Sequence, residues 1–555
     1  MLPRKLQLLF IFLVQLVFIS LFQFKSNYEE KNIASVEVQT SRVPHIEYEN
    51  ARRKIIQDTK DLLWYLESRL TNLSPENSIE TILNEARTRK NVILSKFHDM
   101  LEYDGYNTWR EREHFELSNI VQNRIHAAQN PENCSDAKML LCNLDSNCGF
   151  GCQFNRIVLC LIVSYATQRT MLLESRDWSY SCDGVGTFED IYLPPSESCI
   201  LHRDYDILNK EVVEWPGTEN AKIINFSFER HLLTSDNYLP LFLPPFIPDD
   251  LSDRIMRLHE DPALWWMSQF VKFLWKFQPA TELMLKTLAM DLQSNSVTVG
   301  IHIRRNDKIL EKESMYYPIE EYMKHVKEYF DQEQIRRKMK FPKKHLYVIS
   351  DDPKVFDEIR DKYPEYILLG DKSRSHSASL KNRYSINSLL DLISDIHLLS
   401  LSDFIVCTLS SNVCRLAYEI QQQRFVDGSR KVHYLDDHWT SFILGNFIHQ
   451  DIELAIFSHE ASSQKELSID VGDKITDIKY KQNGYAFGRI ERNNQTGIYP
   501  TYKTIEVTQT HPFPTYFNVK LSIVESSRQN KRIHKESSKE IGNVFVSKYD
   551  VSDYH

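Results

Sequence analysis

The spacing of apolar residues changes several times along this chain, and each change marks an element. Between 48 and 128 they recur at three- and four-residue steps: Ile55, Ile56, Leu62, Leu63, Leu66 and Leu70, then, after a break at 71–75, Ile79, Ile82, Leu83, Val92, Ile93 and Phe97. Such stripes predict either a coiled coil that dimerises or a helix hairpin capping the next domain. An apolar helix is expected over 158–166 and a short strand at 170–174. Trp265 and Trp266 fall in a helical stretch and read as core. At 296–308 the period drops to two: Val297, Val299, Ile301 and Ile303 alternate with small or polar residues, the pattern of a strand. It ends in His302, Arg304, Arg305, Asp307 and Lys308. A helix over 318–337 follows, then a buried strand at 345–350 ending in Asp351 and Asp352, a helix over 387–399, a strand at 403–408 and a helix over 413–422. Strand, crossover helix and strand repeat here, so the fold class is α/β with a parallel sheet.

The N-terminus bears on compartment. Arg4 and Lys5 precede 6–24, nineteen residues without a charge. That length spans a bilayer, and the basic residues ahead of it keep the short tail 1–5 cytosolic and place the rest of the chain in the lumen. A signal peptide is the alternative, although no small-x-small cleavage site comes after it. Seven of the nine cysteines lie between 134 and 199, in spacings that do not form two CxxC pairs, so disulfides are expected rather than zinc. Four glycosylation sequons occur, at Asn72, Asn133, Asn225 and Asn494. The chain has 555 residues, room for about three or four structural units. Its net charge of −9 argues against nucleic acid as a partner.

The candidate chemistry sits at strand ends. Arg304 and Arg305 close a strand where ligands of open α/β sheets bind, and guanidinium forks suit phosphate. Ser410, Ser411 and Asn412 stand where the strand at 403–408 gives way to a helix N-terminus, whose free amides and dipole also bind phosphate; a capping role is the alternative. Together they predict a diphosphate pocket. Asp395 lies on the preceding helix, where a carboxylate accepts from a guanine or ribose donor. CGFGC at 148–152 reads as a glycine turn, with or without a ligand. The proline-rich run at 239–248 is either a polyproline II ligand or a rigid loop. There is no Walker sequence. The single Asp-x-Asp, Asp204 to Asp206, lies in a polar loop and is discounted as a metal site. The arginines and the helix terminus suffice to neutralise a departing diphosphate without metal.

The string GIHIRRNDK at 300–308 resembles the donor motif of GDP-fucose-dependent fucosyltransferases, and the alpha-1,6 family in particular. CGFGCQ at 148–153, PALWWMSQFVK at 262–272, PIEEYM at 318–323, NRY at 382–384, DIH at 395–397 and AYEI at 417–420 support the likeness, which runs from about 50 to 510. AIF at 455–457, VGD at 471–473 and GIYPTY at 497–502 resemble a Src-homology-3 barrel; it lacks the paired tryptophans of peptide-binding copies. The resemblance implies a GT-B-like α/β glycosyltransferase with a Rossmann-type donor half. It divides the chain into a cytosolic tail (1–5), a transmembrane signal anchor (6–24), a stem with coiled-coil helices (25–130), a catalytic domain (134–440), an SH3-like barrel (444–507) and a mobile tail (508–555).

By the same resemblance the enzyme is a single-pass type II Golgi membrane protein and a homodimer. It transfers fucose from GDP-fucose to the 6-hydroxyl of the innermost, Asn-linked GlcNAc of N-glycans, with inversion and with neither metal nor cofactor. A different acceptor, whether another oligosaccharide or a protein hydroxyl, and an inactive glycan-binding protein are the alternatives. The donor side falls to His302, Arg304, Arg305, Asp395, Ser411, Asn412, Tyr180, Gly149, Gly151 and Arg383. The acceptor side falls to Asp307, Tyr322, Asp351, Asp352 and Asp437, with Glu313 as general base, Lys308 beside it and Arg304 on the β-phosphate. Three departures stand out. Asn412 replaces a glutamine. One extra residue between Lys308 and Pro318 makes Glu311 a rival of Glu313. Lys481 and Phe487 replace a histidine and a lysine. The implied bridges are Cys134–Cys199, Cys142–Cys160, Cys148–Cys152 and Cys407–Cys414, leaving Cys182 odd.

Overall fold

The computed structural model describes residues 77–144, 148–176, 178–180, 187–200, 212–227, 242–290, 297–306, 315–377, 384–436, 452–481 and 483–516, with Leu292 and single helical positions between 53 and 67. Helices α1 (Asn77–Tyr103) and α2 (Asn107–Gln129) are joined by a tight turn in which Gly105 takes a φ of 72°, a conformation natural to glycine. Both helices lie along the α/β body. Arg53 donates to the carbonyls of Met256 and Arg257 at 3.0 and 3.1 Å. Lys90 on α1 pairs with Glu328, and Arg124 on α2 pairs with Asp250 at 2.6 Å. Leu117, Val121 and Ile125 give α2 a fully buried stripe. Over 77–129, then, the stem helices are packed on the body.

The first half is a parallel sheet of β1 (Met139–Asn143), β2 (Thr170–Glu174), β3 (Val212–Glu214) and β4 (Ile223–Phe226), in the order β2-β1-β4-β3. Helix α3 (Phe150–Ala166) connects β1 to β2. It is apolar nearly all round and correspondingly buried. It starts at 150 rather than 158, because Gly149 serves as its N-cap and Gly151 sits in its first turn. The CGFGC stretch is thus the start of a helix rather than a free turn. From 242 on, the proline-rich run packs inward: Leu243 and Ile247 are fully buried, and Ile247–Pro248 forms the short strand β5. Helices α4 (Ser252–Leu258), α5 (Pro262–Leu274) and α6 (Pro279–Ala289) follow. Asp261 caps α5 by accepting from Leu264 N–H at 2.9 Å, and Trp265 and Trp266 are buried in the core as expected.

The second half contains β6 (Thr298–Ile303), α7 (Ile319–Arg336), β7 (Lys344–Ser350), α8 (Lys354–Lys362), β8 (Tyr366–Leu369), α9 (Arg374–Ser377), α10 (Ile386–Ser400), β9 (Phe404–Cys407), α11 (Asn412–Gln421) and β10 (Val432–Tyr434). The strands are parallel in the order β10-β9-β6-β7-β8. Every residue of β6 is buried, as a central parallel strand with both faces covered requires. A Cβ on Gly300 would come within 2.5 Å of Leu399, so glycine here lets α10 lie close on β6. From β6 the chain builds outward through β7 and β8, then returns to the other side through β9 and β10. The point of reversal lies between β6 and β9. In open sheets the ligand crevice sits at the carboxyl ends of such a pair.

A five-stranded antiparallel sheet comes next, ordered β14-β13-β12-β11-β15, from β11 (Glu453–Ala455), β12 (Lys474–Lys481), β13 (Tyr485–Ile490), β14 (Thr496–Pro500) and β15 (Thr504–Glu506). It has its own core of Ala455, Leu467, Ile469, Ile475, Ala486, Ile490 and Tyr499. The chain then returns to the first half. Strand β16 (Thr510–His511) pairs with β5, and Phe513 lies among Tyr165, Trp266 and His511. The Tyr165 hydroxyl donates to the Pro514 carbonyl at 2.8 Å. Of the tail expected to be mobile, 508–514 is therefore docked, because it carries an apolar anchor and strand-pairing backbone. The bridges Cys134–Cys199, Cys142–Cys160, Cys148–Cys152 and Cys407–Cys414 are present; Cys182 lies outside the described residues.

One expectation is corrected. Among the described residues no helix is long and apolar enough to cross a membrane. The stretch 6–24 lies outside them, so the assignment as a single-pass type II Golgi membrane protein does not stand.

Candidate functional site

The turn after β6 is held from the side by the next strand. Past the end of β7, Asp351 is almost fully buried and accepts from Arg305 N–H at 2.8 Å and from Asn306 N–H at 3.0 Å. Asn306 Nδ2 donates back to the Asp351 carbonyl at 2.6 Å, and Arg304 Nη1 lies 3.3 Å from Asp351 Oδ2. The two arginines then diverge. Arg305 makes a bidentate pair with Glu358 of α8 at 2.7 and 3.0 Å and leans over the Tyr316 ring at 5.4 Å. That pairing raises the Arg305 pKa and lowers that of Glu358. Asp352 lies 3.5 Å from Arg305 Nη1 and accepts from Lys354 N–H at 3.0 Å. Arg305, Asp351 and Asp352 thus brace the turn, and Arg304 follows the strand's carboxyl end.

The turn after β9 repeats the device. Asp436, just past β10, accepts from Leu409 N–H at 2.7 Å and from Ser410 N–H at 3.1 Å. The Cys407–Cys414 bridge ties the strand to the first turn of α11. Ser411 is the N-cap, yet its side chain makes no capping bond. The first amides of α11 have no intrahelical partner, and a helix terminus of this kind is suited to an anion.

The second helix N-terminus comes from the first half. Gly149 caps α3 without a side-chain bond. A Cβ on Gly151 would lie 2.9 Å from Asn412 C, Cβ and O, so the two helix starts touch backbone to backbone. Two positive dipole ends therefore converge, one from each half, beside the end of β6. Tyr180 is buried next to them and its hydroxyl accepts from Phe150 N–H at 2.8 Å.

A separate polar group lies under the same face of the sheet. Gly300 and His302 on β6 and Tyr347 on β7 share the face against which α10 packs. Asp395 on α10 accepts from the Tyr347 hydroxyl at 3.0 Å and from Arg374 Nη1 at 2.8 Å. Burial raises its carboxyl to about 6, against the opposite pull of Arg374 and Tyr347. His302 is 3% exposed, with Nδ1 buried and without a hydrogen-bond partner among the described residues. Burial, helped by Arg304, lowers its pKa to about 3, so the ring is neutral at working pH.

The structure thus brings Gly149, Gly151, Tyr180, Ser411 and Asn412 together at the two touching helix starts, while His302 and Arg304 lie at the carboxyl end of β6 and Asp395 on the helix packed against that strand. Tyr322 is 1% exposed, on the stripe of α7 with Ile319, Met323, Val326 and Phe330 that covers the sheet, and lies within electrostatic range of Asp436, Arg305 and Asp351 at the strand ends. Asp307, Lys308, Glu311, Glu313, Arg383 and Asp437 lie outside the described residues, as does the side chain of Lys481. Sequence reasoning passed over Asp436, Arg374 and Tyr347. For Asp436 a signal existed, since a carboxylate directly follows the outermost strand. Among the described residues no group of three or more His, Cys, Asp or Glu is placed to hold a metal. A cavity of about 320 Å³, lined by His98, His325, Tyr329, Phe404 and Lys431, lies at the amino end of β9, away from this site.

Two parallel halves whose helix N-termini meet beside a cationic strand end are built to hold an anion between them, the arrangement of an α/β glycosyltransferase. The chain belongs to the alpha-(1,6)-fucosyltransferase family: the family described as alpha-(1,6)-fucosyltransferase N- and catalytic domains matches residues 20–439. An alpha-(1,6)-fucosyltransferase of Drosophila melanogaster is 34% identical over 487 residues, covering 86% of this chain and 76% of the relative. One from Caenorhabditis elegans is 30% identical over 464 residues, covering 82% and 78%. Among solved structures, the fucosyltransferase NodZ from Bradyrhizobium is similar over 51% of this chain and 92% of its own, with 13% identity and a TM-score of 0.33.

Proposed function

We propose that this enzyme transfers fucose from GDP-fucose to the 6-hydroxyl of the innermost, Asn-linked GlcNAc of N-glycans, with inversion at the fucose carbon. The observation that carries the donor reading is the contact of Gly151 with Asn412, which sets two helix N-termini side by side at the crevice beside Arg304. The diphosphate lies there, with Arg304 on the β-phosphate. The guanine extends toward His302 and Asp395. As the glycosidic bond to GDP breaks, Arg304 and the helix amides stabilise the charge growing on the departing diphosphate. Glu313 takes the proton from the acceptor O6 as it attacks the opposite face, with Lys308 beside it. The negative charge is met by protein donors, so no metal is needed; the acceptor O6 displaces GDP in a single inverting step, so no covalent intermediate forms. The five-stranded sheet at 453–506 acts as an SH3-like module that helps select the glycan. A homodimer through the N-terminal helices belongs to the same reading; exposed Val92, Ile93 and Phe115 on α1 and α2 support it, and sedimentation of the full chain tests it.

The test is incubation of the full chain, made under disulfide-forming conditions, with GDP-fucose, EDTA and an N-glycopeptide bearing a terminal GlcNAc on one antenna. Mass spectrometry is expected to place one fucose on the innermost GlcNAc, and Arg304→Ala to abolish it. Fucose elsewhere on the glycan or on the peptide would overturn the acceptor assignment. A requirement for divalent metal would overturn the account of the leaving group.

A further inference from the structure

Asp395 poses a problem that its neighbours answer. A carboxylate this deeply buried favours its neutral form, and a neutral acid carries a proton on the oxygen that a ligand's N–H donors need. Burial does push its carboxyl up to about 6. Two side chains oppose this from different elements. Arg374, on the short helix α9, places Nη1 at 2.8 Å from Oδ1 with its own side chain only 12% exposed. Tyr347, on β7, places its hydroxyl at 3.0 Å from the same Oδ1. Among the described residues both bonds fall on Oδ1, which leaves Oδ2 as the acceptor for a ligand. The other ionisable groups around it are accounted for. Asp391, one turn earlier on α10, lies 3.8 Å from Arg374 Nε and accepts from the Ser377 hydroxyl at 2.7 Å. His302, on β6, is neutral. Of the helices packed against α10, α6 has its Lys286 paired with Glu282 at its own surface, and Arg415 of α11 donates to the Leu409 carbonyl. Among the described residues, Arg374 is therefore the cation in direct contact with Asp395.

We propose that Arg374 is a positioning residue for nucleobase recognition: it keeps Asp395 ionised and fixes its Oδ1, so that Oδ2 meets the adjacent ring N–H and exocyclic N–H₂ donors of a guanine-type base. This rests on the donor reading above. A purine without that pair of adjacent donors gains nothing from the arrangement. Arg374 touches neither the diphosphate cradle nor the acceptor in this scheme, so its effect falls on base selection rather than on the chemical step.

The experiment measures binding of GDP, inosine diphosphate (which lacks the exocyclic amine) and ADP to the full chain and to Arg374→Leu and Arg374→Lys, by calorimetry from pH 6 to 8.5. Removal of the cation raises the carboxyl pKa by about two units, from about 6 to about 8, which lowers the ionised fraction at pH 7 about tenfold. Arg374→Leu is expected to weaken GDP about tenfold at pH 7 and to recover most of that loss by pH 8.5, as Asp395 ionises without help. Its preference for GDP over inosine diphosphate shrinks at pH 7, ADP binding stays as it was, and Arg374→Lys restores most of the GDP affinity. Should the leucine variant not fold, Arg374→Gln carries the same expectation. Tight GDP binding by Arg374→Leu that does not vary with pH overturns the inference alone. An equal loss for all three nucleotides at every pH also overturns it, since that is the mark of a merely structural arginine. No GDP binding by the unaltered chain overturns the donor reading and the inference with it.

Discussion

Replacing Gly151 by alanine tests the diphosphate cradle directly. The new Cβ meets three atoms of Asn412 at 2.9 Å, two of them backbone, against an ordinary carbon contact of about 3.5–4.0 Å. The two helix starts must therefore separate by roughly half an ångström or more. Neither end relaxes alone, because Cys148–Cys152 pins the first turn of α3 and Cys407–Cys414 pins that of α11. Inserting a methyl into a close-packed contact costs about 1–3 kcal/mol. If the helices part, the amides that face the diphosphate move with them, and a similar free energy is lost from the transition state. That corresponds to a fall in kcat/KM for GDP-fucose of about 5- to 150-fold. The assay pairs initial rates over a range of GDP-fucose with calorimetric GDP binding and thermal melting. Gly149→Ala is the packing control. Its Cβ meets nothing within 4 Å and its φ of −66° suits any residue, so its melting temperature should stay near that of the unaltered chain. A Gly151→Ala enzyme that melts earlier yet keeps its kcat/KM for GDP-fucose would refute the reasoning, for the contact would then be structural only.

Three further outcomes rest on the same geometry. Asp351→Asn loses the charge in the bonds to two backbone amides and to Arg304, so it should be destabilised by about 2–4 kcal/mol and lose activity by at least tenfold, read by denaturant titration and by rate. In the ligand-free protein the Asp395 carboxyl titrates near 6, above the ordinary 3.8. The unfolded chain therefore gives up this proton first, and stability attributable to the group is full below about pH 4 and declines as pH rises to about 6; relative to Asp395→Asn, the native protein should lose on the order of 3 kcal/mol across that interval in urea melts. Phe513→Ala removes a buried ring wedged against Tyr165 and Trp266 and should cost about 3–5 kcal/mol, so its melt should shift while circular dichroism still shows the five-stranded module intact.

Periodicity disclosed six of the ten elements of the second half, with bounds close to those observed, and passed over α8, β8, α9 and β10. The strand expected at 345–350 is Lys344–Ser350, and the helix expected over 387–399 is Ile386–Ser400. These elements bury one stripe or both faces, and burial writes itself into sequence. The start of α3 was missed because its first turn is set by two glycines and a disulfide rather than by an apolar period. The docked segment 508–514 was missed because one phenylalanine and a two-residue pairing leave no periodic trace. In the candidate site, Arg304 and Ser411 were legible as residue types at a strand end and a helix start, and Gly151 as a glycine of a turn. The meeting of Gly151 with Asn412 was not, because they come from different halves and only the packing of α3 against α11 joins them.

The placement of the braces explains why β6 and β9 in particular carry the ligand-facing groups. Each turn at the reversal point commits two amides to a carboxylate from the strand just outside it: Arg305 and Asn306 to Asp351 beyond β7, Leu409 and Ser410 to Asp436 beyond β10. Those four amides are then no longer available to an anion. Both carboxylates add negative charge near a site meant for a diphosphate, which by itself weakens binding. The arrangement is workable because rigidity outweighs that cost: amides held in place before the ligand arrives need no reorganisation as charge develops on it. Among the described residues, the Arg304 guanidinium and the helix starts at Gly151 and Asn412 stand beside these braced turns, one half supplying each helix. A site divided in this way is complete only when the two halves are in contact, so the fit between α3 and α11 governs how well it stabilises the departing charge.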